Sequence, residues 1–159
     1  MSVASRKRPA QKIRVRSGCA NDLDALDDLE EQVFASDRMS RRSLRRFLGS
    51  PTANVLVVER AGCVAGCAVV LFRPNSAKAR LYSIAVAPSS AGCGLGSALL
   101  QASEKAARAR NRAILRLEVH EKNGRAISRY CKAGYRQFGC HHHYYDDRGN
   151  ALRFEKRLG

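Results

Sequence analysis

The sequence lacks features that would assign the chain to several large classes of protein. No apolar run reaches the roughly 18 residues that a membrane-spanning helix requires, so we expect no membrane partner. The first residues also lack the apolar stretch of about 7–15 residues found in secretory signals, and we therefore expect a cytoplasmic protein. The six cysteines are scattered and include no CxxC pair, which argues against both a disulfide framework and a structural metal site.

Acidic residues are scarce as well. The chain has 14 Asp and Glu against 29 Lys and Arg, which gives a formal net charge of +15 at pH 7. Such a charge is typical of proteins that bind nucleic acid, an anionic membrane surface or another anionic ligand. The charge is segregated, because positions 1–16 and the segment DRMSRRSLRRFL are basic whereas NDLDALDDLEE between them is acidic. We therefore do not expect nucleic acid as a specific ligand.

The size and the apolar pattern predict one domain. A chain of 159 residues with 45% hydrophobic residues can bury a core, and we assign that domain to residues 13–159. Residues 1–12 are predicted to be a disordered basic tail. The apolar spacing predicts the order β-α-α-β-β-β-α-β-α-β-β. Three strands in an antiparallel meander followed by a helical crossover predict the α/β class, with a mixed sheet in three layers.

A glycine-rich loop stands between a predicted strand and a predicted helix. In SIAVAPSSAGCGLGSALL, residues 83–100, glycine occurs at alternate positions, Gly92, Gly94 and Gly96. Glycines there let main-chain N–H groups approach a ligand, and a helix N-terminus attracts negative charge, so the segment predicts an anion site. A P-loop would need a lysine before Ser97, and the dinucleotide fingerprint would need G-x-G-x-x-G where this loop has G-x-G-x-G.

Two segments together resemble one enzyme superfamily. From LYSIAVAPSSAGCGLGSALL through LRLEVHEKNGRAISRYCKAGY, the sequence resembles the GNAT N-acetyltransferases, and within them the bacterial ribosomal-protein alanine N-acetyltransferase branch. The superfamily's loop pattern is Gln/Arg-x-x-Gly-x-Gly/Ala, and Ala91, Gly94 and Gly96 occupy its positions here. The positions that match the second pattern are Leu117, Glu118, Val119, Asn123, Ala126, Tyr130, Gly134 and Tyr135. The resemblance extends over residues 13–158.

The resemblance implies the GNAT fold and an acetyl-CoA-dependent transfer of acetyl to a primary amine by direct attack, without a metal. The implied acceptor is the N-terminal α-amine of a protein or peptide, with an acidic or ribosome-associated target as one possibility. A small-molecule amine, or an RNA- or ribosome-binding module without catalysis, remains open as an alternative. The residues implied to bind acetyl-CoA are Ile84, Ala85, Val86, Ala91, Gly92, Cys93, Gly94, Leu95, Gly96, Ser97, Asn123 and Tyr130.

The loop departs from the family pattern in one respect. Ala91 stands where family members usually carry Gln or Arg, and Gly92 and Cys93 add no charge. The resemblance implies that main-chain amides of the loop hold the cofactor's pyrophosphate. In this chain the amides would bind the pyrophosphate together with the helix dipole. The positive charge of Lys105, Arg108 or Lys132 could contribute from a distance.

Two residues are candidates for the chemistry of transfer. At pH 7 the neutral form of an α-amine costs about 1.2 kcal/mol and that of a lysine about 4.6 kcal/mol, so a base is useful. Glu118 lies in LRLEV between apolar residues, and we expect it to be partly desolvated and thus a better base. The resemblance implies Glu118 as general base and Tyr130 as general acid. The alternatives are an ion-paired glutamate at a strand end and a tyrosine of the core.

Two further clusters are polar. The arginines of a predicted short helix, Arg41, Arg42, Arg45 and Arg46, are expected to face outward. The resemblance implies that this helix borders the acceptor cleft, where they would attract an acidic peptide, an RNA-associated target or an anionic small molecule. A solvated helix face remains equally open. In HHHYY, we predict that His141 and His143 share one face of a strand, with Asp146 nearby. We favour a lining of the acceptor mouth over metal binding, and an exposed strand remains equally open.

Overall fold

A computed structural model describes residues 13–159, so the predicted basic tail over residues 1–12 lies outside the described residues. Within residues 13–159 the strands are β1 (Val15–Ser17), β2 (Ala53–Arg60), β3 (Cys63–Phe72), β4 (Lys78–Val86), β5 (Ile114–His120), β6 (Arg136–His141) and β7 (Ala151–Arg157). The α-helices are α1 (Leu23–Val33), α2 (Arg41–Leu48), α3 (Leu95–Ala109) and α4 (Gly124–Lys132). This order confirms the predicted one.

All strands of the described chain belong to one sheet, in the order β1-β2-β3-β4-β5-β7-β6. Strands β1 to β4 pair antiparallel as a meander, and β4 then pairs parallel with β5 after the crossover through α3. The turn between β2 and β3 has positive φ at Ala61 and Gly62, 52° and 77°, which suits the twist of a tight hairpin. The mixed sheet is therefore confirmed.

Helices cover both faces of the sheet. Helices α3 and α4 enclose one core, which includes Leu99, Leu117 and Phe154. Helices α1 and α2 enclose a second core on the opposite face, which includes Leu26 and Leu44. The predicted three-layer α/β architecture is confirmed, because each face of the sheet is buried under its own pair of helices.

Local signals explain where the helices begin and end. The Ser40 side chain accepts a hydrogen bond from the Ser43 N–H at the start of α2, and Asn123 does the same for the Ala126 N–H at the start of α4. Gly134 ends α4 with a φ of 95°, a conformation that glycine adopts without strain. Among the helices of residues 13–159, none is both long and apolar enough to cross a membrane.

The prediction that His141 and His143 share one face of a strand was wrong, because the histidine-rich segment is not a continuous strand. Strand β6 ends at His141, and His143 has a φ of 53° in the connection to β7. The His143 N–H donates to Oδ1 of Asn150, and its ring Nδ1 lies 3.2 Å from the Arg148 carbonyl oxygen, so the chain curls back on itself. His141 and His143 therefore do not share a strand face.

Candidate functional site

The sheet splits between its two central parallel strands. Strands β4 and β5 pair from Lys78–Ile114 only as far as Leu81–Leu117, although β4 continues to Val86 and β5 to His120. The pairing of β4 with β3 shifts at the same level, which leaves Tyr82 as an extra residue. Beyond this bulge the edge of β4 that faces β5 has no strand partner within residues 13–159. Its main-chain groups are therefore available to a ligand.

This split forms what we call the central cleft, a cavity of about 580 Å³. Its walls are the separated ends of β4 and β5, helix α4, the connection from α1 to α2 and the loop from β6 to β7. Of the sequence-predicted site residues, it brings together Ile84, Glu118, Asn123 and Tyr130. Ala85 and Val86 line no part of the central cleft with their side chains, which pack into the two cores on opposite faces of the sheet.

Glu118 lies in the central cleft between two arginines. Its Oε2 accepts a hydrogen bond from Nε of Arg80 at 3.1 Å, and its Oε1 lies 3.8 Å from Nε of Arg153. The second distance is too long for a hydrogen bond, so Oε1 accepts none from residues 13–159. Both guanidinium groups therefore stand beside the carboxylate. One oxygen is held in place by Arg80, while the other is free to accept a hydrogen bond from a ligand.

The expected apolar surroundings of Glu118 were wrong. Leu115, Leu117 and Val119 are buried on the α3 side of β5, whereas Glu118 points to the other face. Successive side chains of a strand alternate between faces, so apolar neighbours in sequence do not surround the residue between them. This period was visible in LRLEV. Arg80 and Arg153 come from β4 and β7, and no local pattern in the sequence joins them to Glu118.

His120 also lines the central cleft, but both of its ring nitrogens are occupied. Nδ1 accepts a hydrogen bond from the Lys122 N–H at 3.1 Å, and Nε2 lies 2.8 Å from Oδ2 of Asp147. A ring that accepts at Nδ1 donates from Nε2, so no lone pair is free to take a proton from a substrate. Gly149 permits this approach, because a Cβ there would overlap the His120 ring. His120 orders the loop and leaves Glu118 as the available base.

Tyr130 lies on α4 and is 3% exposed, with its ring edge-on to Tyr135 at 5.8 Å between centroids. Burial raises the pKa of Tyr130 to about 12, although the nearby charge of Arg129 acts in the opposite direction. Its hydroxyl makes no hydrogen bond within residues 13–159 and faces the central cleft. The phenol is therefore protonated at neutral pH and can donate a proton.

The glycine-rich loop presents its main-chain donors at the start of α3. Gly92 and Gly94 have φ of 78° and 82°, which turns the chain into the helix in a conformation that suits glycine. Ala91, Gly92, Cys93 and Gly94 are exposed, while Leu95 and Gly96 are buried beneath them. The N–H groups that find no acceptor within residues 13–159 are those of Gly92, Gly94, Leu95, Gly96 and Ser97. Such a set of donors fits an anionic group.

An arginine missed by the sequence analysis lies against these donors. A Cβ built on Gly96 would lie 2.6 Å from Cζ of Arg129, so the guanidinium covers the first turn of α3. Arg129 lines both the central cleft and a second cavity of about 650 Å³ between α3 and α4, which we call the helix cavity. It has no carboxylate partner among residues 13–159. In the sequence, the signal was that a basic residue, Arg129, directly precedes Tyr130. Its position against α3 follows from the packing of α4 on α3 and could not be predicted from the sequence.

The three cations expected to help the loop differ in position. Arg108 donates to the Leu158 carbonyl at 3.0 Å and lies 3.9 Å from Glu104, so it is engaged at the far end of α3. Lys105 is exposed and lines none of the described cavities. Lys132 lines the helix cavity with Arg129. Of the three, only Lys132 lines a cavity together with Arg129 and with Ser97 of the first turn of α3.

A third cavity, the basic groove, adjoins the central cleft. It has a volume of about 780 Å³ and lies between α2, the β3–β4 connection and strands β4, β5 and β7. Of the four arginines expected at the acceptor cleft, only Arg46 lines it. Arg41 is paired with Asp24 and Asp27 of α1, and Arg42 and Arg45 are exposed elsewhere. The positive charge comes mainly from other elements.

The HHHYY segment contributes only in part. His141 lines the basic groove, and Tyr144 lines both the groove and the central cleft, where its hydroxyl lies 3.1 Å from Nη2 of Arg80. Tyr145 stacks on His120 at 4.9 Å between ring centroids. Within residues 13–159 no group of three or more His, Cys, Asp or Glu is arranged to hold a metal ion.

The comparisons with known proteins agree with this geometry. The sequence model of the acetyltransferase (GNAT) family matches residues 21–135. A Bacillus subtilis (strain 168) protein, provisionally named a ribosomal protein bS18-alanine N-acetyltransferase, is 29% identical over 139 residues, 87% of this chain and 90% of the relative.

Solved structures share the fold. The ribosomal-protein-S18-alanine N-acetyltransferase of Escherichia coli aligns with a TM-score of 0.84 and 25% identity, over 93% of this chain and 95% of that one. A chain of the NatC complex, solved with Gag peptide and CoA bound, aligns with a TM-score of 0.80 over 93% of this chain and 99% of that one. At 18% identity, the latter likeness concerns the fold alone.

Proposed function

This chain belongs to the acetyltransferase (GNAT) family, and from that premise we propose that it transfers acetyl from acetyl-CoA to the N-terminal α-amine of a protein or peptide. The observation that carries the proposal is a path that starts at the first turn of α3 and reaches Glu118 at the split between β4 and β5. The path passes Arg129, which covers that turn and also lines the central cleft. The provisional name of the Bacillus subtilis relative and that of the Escherichia coli enzyme support an α-amine acceptor.

The described residues fit a CoA pyrophosphate. The N–H groups from Gly94 to Ser97 and the positive end of the α3 dipole would hold it, with the Arg129 guanidinium beside them. This cation supplies the charge that Ala91, Gly92 and Cys93 do not. Asn123 and Ile84 line the continuation of the path in the central cleft.

Bound there, acetyl-CoA supplies an acetyl group activated as a thioester. Glu118 would take the proton that the amine loses as its nitrogen forms the new C–N bond, directly or through one water. Oε1 is the oxygen for this role, because Oε2 already accepts from Arg80. An α-amine needs only about 1 kcal/mol to lose its proton at pH 7, whereas a lysine amine needs about 4.6 kcal/mol. Acetylation of an α-amine therefore carries a smaller free-energy cost of deprotonation than acetylation of a lysine.

Tyr130 would act as the general acid and donate a proton to the sulfur as the C–S bond breaks. Its raised pKa keeps the phenol protonated at the pH at which the amine is being deprotonated. The unpaired main-chain edge of β4 near Ile84 would stabilise negative charge on the carbonyl oxygen. The step balances because one proton goes from the neutral amine to Glu118 and one from Tyr130 to the sulfur. Transfer of the proton on Glu118 to the tyrosinate through solvent then restores both groups.

A thiol-release assay with the full chain, acetyl-CoA and an alanine-initiated peptide tests the proposal. We expect turnover with that peptide and none when its α-amine is blocked, with mass spectrometry placing the acetyl group on the first residue. Glu118→Gln and Tyr130→Phe are each expected to lower kcat by about 10²–10⁴-fold. Glu31→Gln is the matched control, because Glu31 is exposed on α1 and makes no ion pair within residues 13–159.

Two outcomes would contradict the proposal. Acetylation confined to lysine side chains or to a small amine such as spermidine would overturn the assignment of an α-amine acceptor. Full activity of both Glu118→Gln and Tyr130→Phe would overturn the assignment of base and acid. Binding of acetyl-CoA, measured separately by calorimetry, distinguishes loss of chemistry from loss of the cofactor.

A further inference from the structure

The basic groove carries an unusual excess of positive charge for a cavity next to a candidate catalytic base. Among the lining residues within positions 13–159, Glu118 is the only carboxylate, and six are cations. These cations are Arg46, Arg73, Lys78, Arg80, Arg116 and Arg153. They come from α2, the β3–β4 connection, β4, β5 and β7, so the charge is produced by the tertiary fold and not by one basic segment of the sequence.

Half of these cations have no internal counter-ion. Arg80 and Arg153 share Glu118, and Arg116 donates from Nε to Glu155 at 2.7 Å. Arg46, Arg73 and Lys78 form no ion pair within residues 13–159 and are exposed. Exposed cations on a surface normally repel one another, and a cavity that gathers them focuses their field on whatever enters.

Two arginines of the groove pack on one aromatic ring. Phe138 of β6 contacts both guanidinium groups, with Arg116 Cζ at 4.3 Å and Arg153 Cζ at 4.7 Å from its ring centroid. Nε of Arg153 is buried and donates no hydrogen bond within residues 13–159. A donor buried without a hydrogen-bond partner is costly, and the 3.8 Å contact with Oε1 of Glu118 compensates this cost only in part.

The groove is continuous with the site of transfer. Arg80, Glu118 and Tyr144 line both the basic groove and the central cleft. The central cleft is lined by Glu30, Asp37, Glu118 and Asp147 as well as by Arg38, Arg80 and Arg129. Its carboxylates therefore offset its cations, and an incoming ammonium group meets no net positive field from these residues. An acceptor with its amine at Glu118 and negative side chains in the groove would match both fields, whereas a basic acceptor would be repelled.

We propose that the basic groove binds an acidic segment of the acceptor peptide, close behind the amine that Glu118 faces. This inference rests on the proposed function and adds a substrate class to it. Arg73 and Lys78 steer the segment from the rim, since neither is engaged elsewhere within the described chain. Arg116 and Arg153, which both pack on Phe138, receive its carboxylates.

The test compares three alanine-initiated peptides that differ only at positions 3–5, with Asp, Asn or Lys there. We expect kcat/KM for the Asp peptide to exceed that for the Asn peptide about tenfold at low salt, and the Lys peptide to be poorest. The advantage should shrink as salt rises, because the screening length falls from about 10 Å at 0.1 M to about 3 Å at 1 M. Fluorescence anisotropy with C-terminally labelled peptides measures binding independently of turnover.

A pair of double variants locates the effect. Arg73→Gln with Lys78→Gln removes two cations from the groove and is expected to abolish most of the preference for Asp. Arg42→Gln with Arg45→Gln removes the same charge from α2 outside the described cavities and is expected to preserve it. Equal losses in both pairs would show a general charge effect and overturn the assignment of the groove.

The remaining outcomes separate this inference from the proposed function. Equal kcat/KM for all three peptides overturns the acidic segment but leaves peptide acetylation standing. Groove-dependent binding of the Asp peptide without turnover supports the acidic segment but overturns the proposed function, and neither binding nor turnover overturns both. Tighter binding of a single-stranded RNA oligonucleotide than of the Asp peptide, weakened by the Arg73 and Lys78 changes, would assign the groove to RNA.

Discussion

The guanidinium of Arg129 fills the space that a side chain at Gly96 would need, because a Cβ there would lie 2.6 Å from Cζ of Arg129. The two residues come from different helices, α4 and α3. Their contact puts a cation on a helix N-terminus whose own loop has no charged side chain. We infer that Gly96 is required less for the backbone conformation than for the position of this guanidinium.

Gly96→Ala should therefore weaken acetyl-CoA binding without destabilising the fold. The atoms that a methyl group would displace belong to the far end of a flexible side chain, and alanine favours a helix by up to about 1 kcal/mol over glycine. Arg129→Gln should weaken binding by about 10- to 100-fold, the value of one charged hydrogen bond. Calorimetry with acetyl-CoA measures both, and thermal unfolding checks the fold.

The double variant and a smaller ligand test whether the two residues act together. If Gly96→Ala acts by displacing Arg129, the double variant binds no more weakly than the weaker single variant. S-acetylpantetheine, which has no pyrophosphate, should bind all of these proteins equally. Lys105→Gln should behave as the wild type, because Lys105 is exposed and lines none of the described cavities. Additive losses would contradict the coupling.

Tyr130 should ionise only near pH 12. Burial raises its pKa to about 12, against 10.0 for a free phenol. A raised pKa in the folded state contributes stability that is complete below pH 10 and is lost as pH rises from about 10 to 12. At pH 11 the wild type should therefore lose about 1.4 kcal/mol of unfolding free energy that Tyr130→Phe retains. Denaturant unfolding at pH 9 and pH 11 measures this difference.

A spectroscopic titration gives an independent check on Tyr130. The ultraviolet difference between wild type and Tyr130→Phe isolates one tyrosinate, and its midpoint should lie near pH 12. A midpoint near 10 would mean that the hydroxyl is solvated, and would remove the argument that it is a reserved proton donor. Arg129→Gln should move the midpoint upward, since the nearby cation favours the ionised phenol.

Sequence patterns predicted the elements of this fold because their causes are local. The caps at Ser40 and Asn123, the Ala61–Gly62 turn and the helix after Gly94 each follow from a few adjacent residues. The error at His143 arose because the alternating pattern of β6 gave no sign of where it stops. The turn there depends on hydrogen bonds to Arg148 and Asn150, residues beyond the segment itself.

The sequence predicted several residues that lie in the candidate site, but it did not predict the charged side chains that surround them. The resemblance gave Glu118 and Tyr130, and the structure brings both to the central cleft. Their neighbours Arg80, Arg129 and Arg153 stand on other elements, so their arrangement depends on strand register and helix packing. In a chain with 29 basic residues, no sequence pattern distinguishes these three from the solvated ones.

Gly66→Ala should destabilise the protein, in contrast to Gly96→Ala. A Cβ on Gly66 would lie 2.9 Å from Cγ1 of Val58 and 3.0 Å from both the Ala85 carbonyl oxygen and Cδ1 of Leu99. These are packed atoms of β2, β4 and α3 that have little room to move. We expect a loss of about 1–3 kcal/mol in unfolding free energy, measured with denaturant. Gly139→Ala in β6 is the control, because its Cβ would meet Arg153 at an ordinary 3.6 Å.

Asp22 should determine much of the acid sensitivity of the first helix. Nη1 and Nη2 of Arg16 each donate to one oxygen of Asp22 at 2.8 Å, and the Cys19 N–H donates to Oδ2 at 2.8 Å. The Arg16 hydrogen bonds, opposed by burial and assisted by the Cys19 N–H, hold the pKa of Asp22 well below its usual range. The pair joins β1 to the start of α1.

The sign of the pH effect follows from this lowered pKa. A carboxylate with a depressed pKa in the folded state contributes stability above its unfolded pKa of about 3.9, and loses it as pH falls toward the folded value. Asp22→Asn should therefore cost about 1–3 kcal/mol at pH 7, and the difference from wild type should shrink between pH 4 and pH 2. Denaturant unfolding at several pH values measures this difference.

Asp28→Asn, at an exposed position on α1, is the control, and its unfolding free energy should show the same pH dependence as the wild type. If the Asp22 variant kept the wild-type dependence on pH, the ion pair with Arg16 would not be what stabilises this corner of the fold.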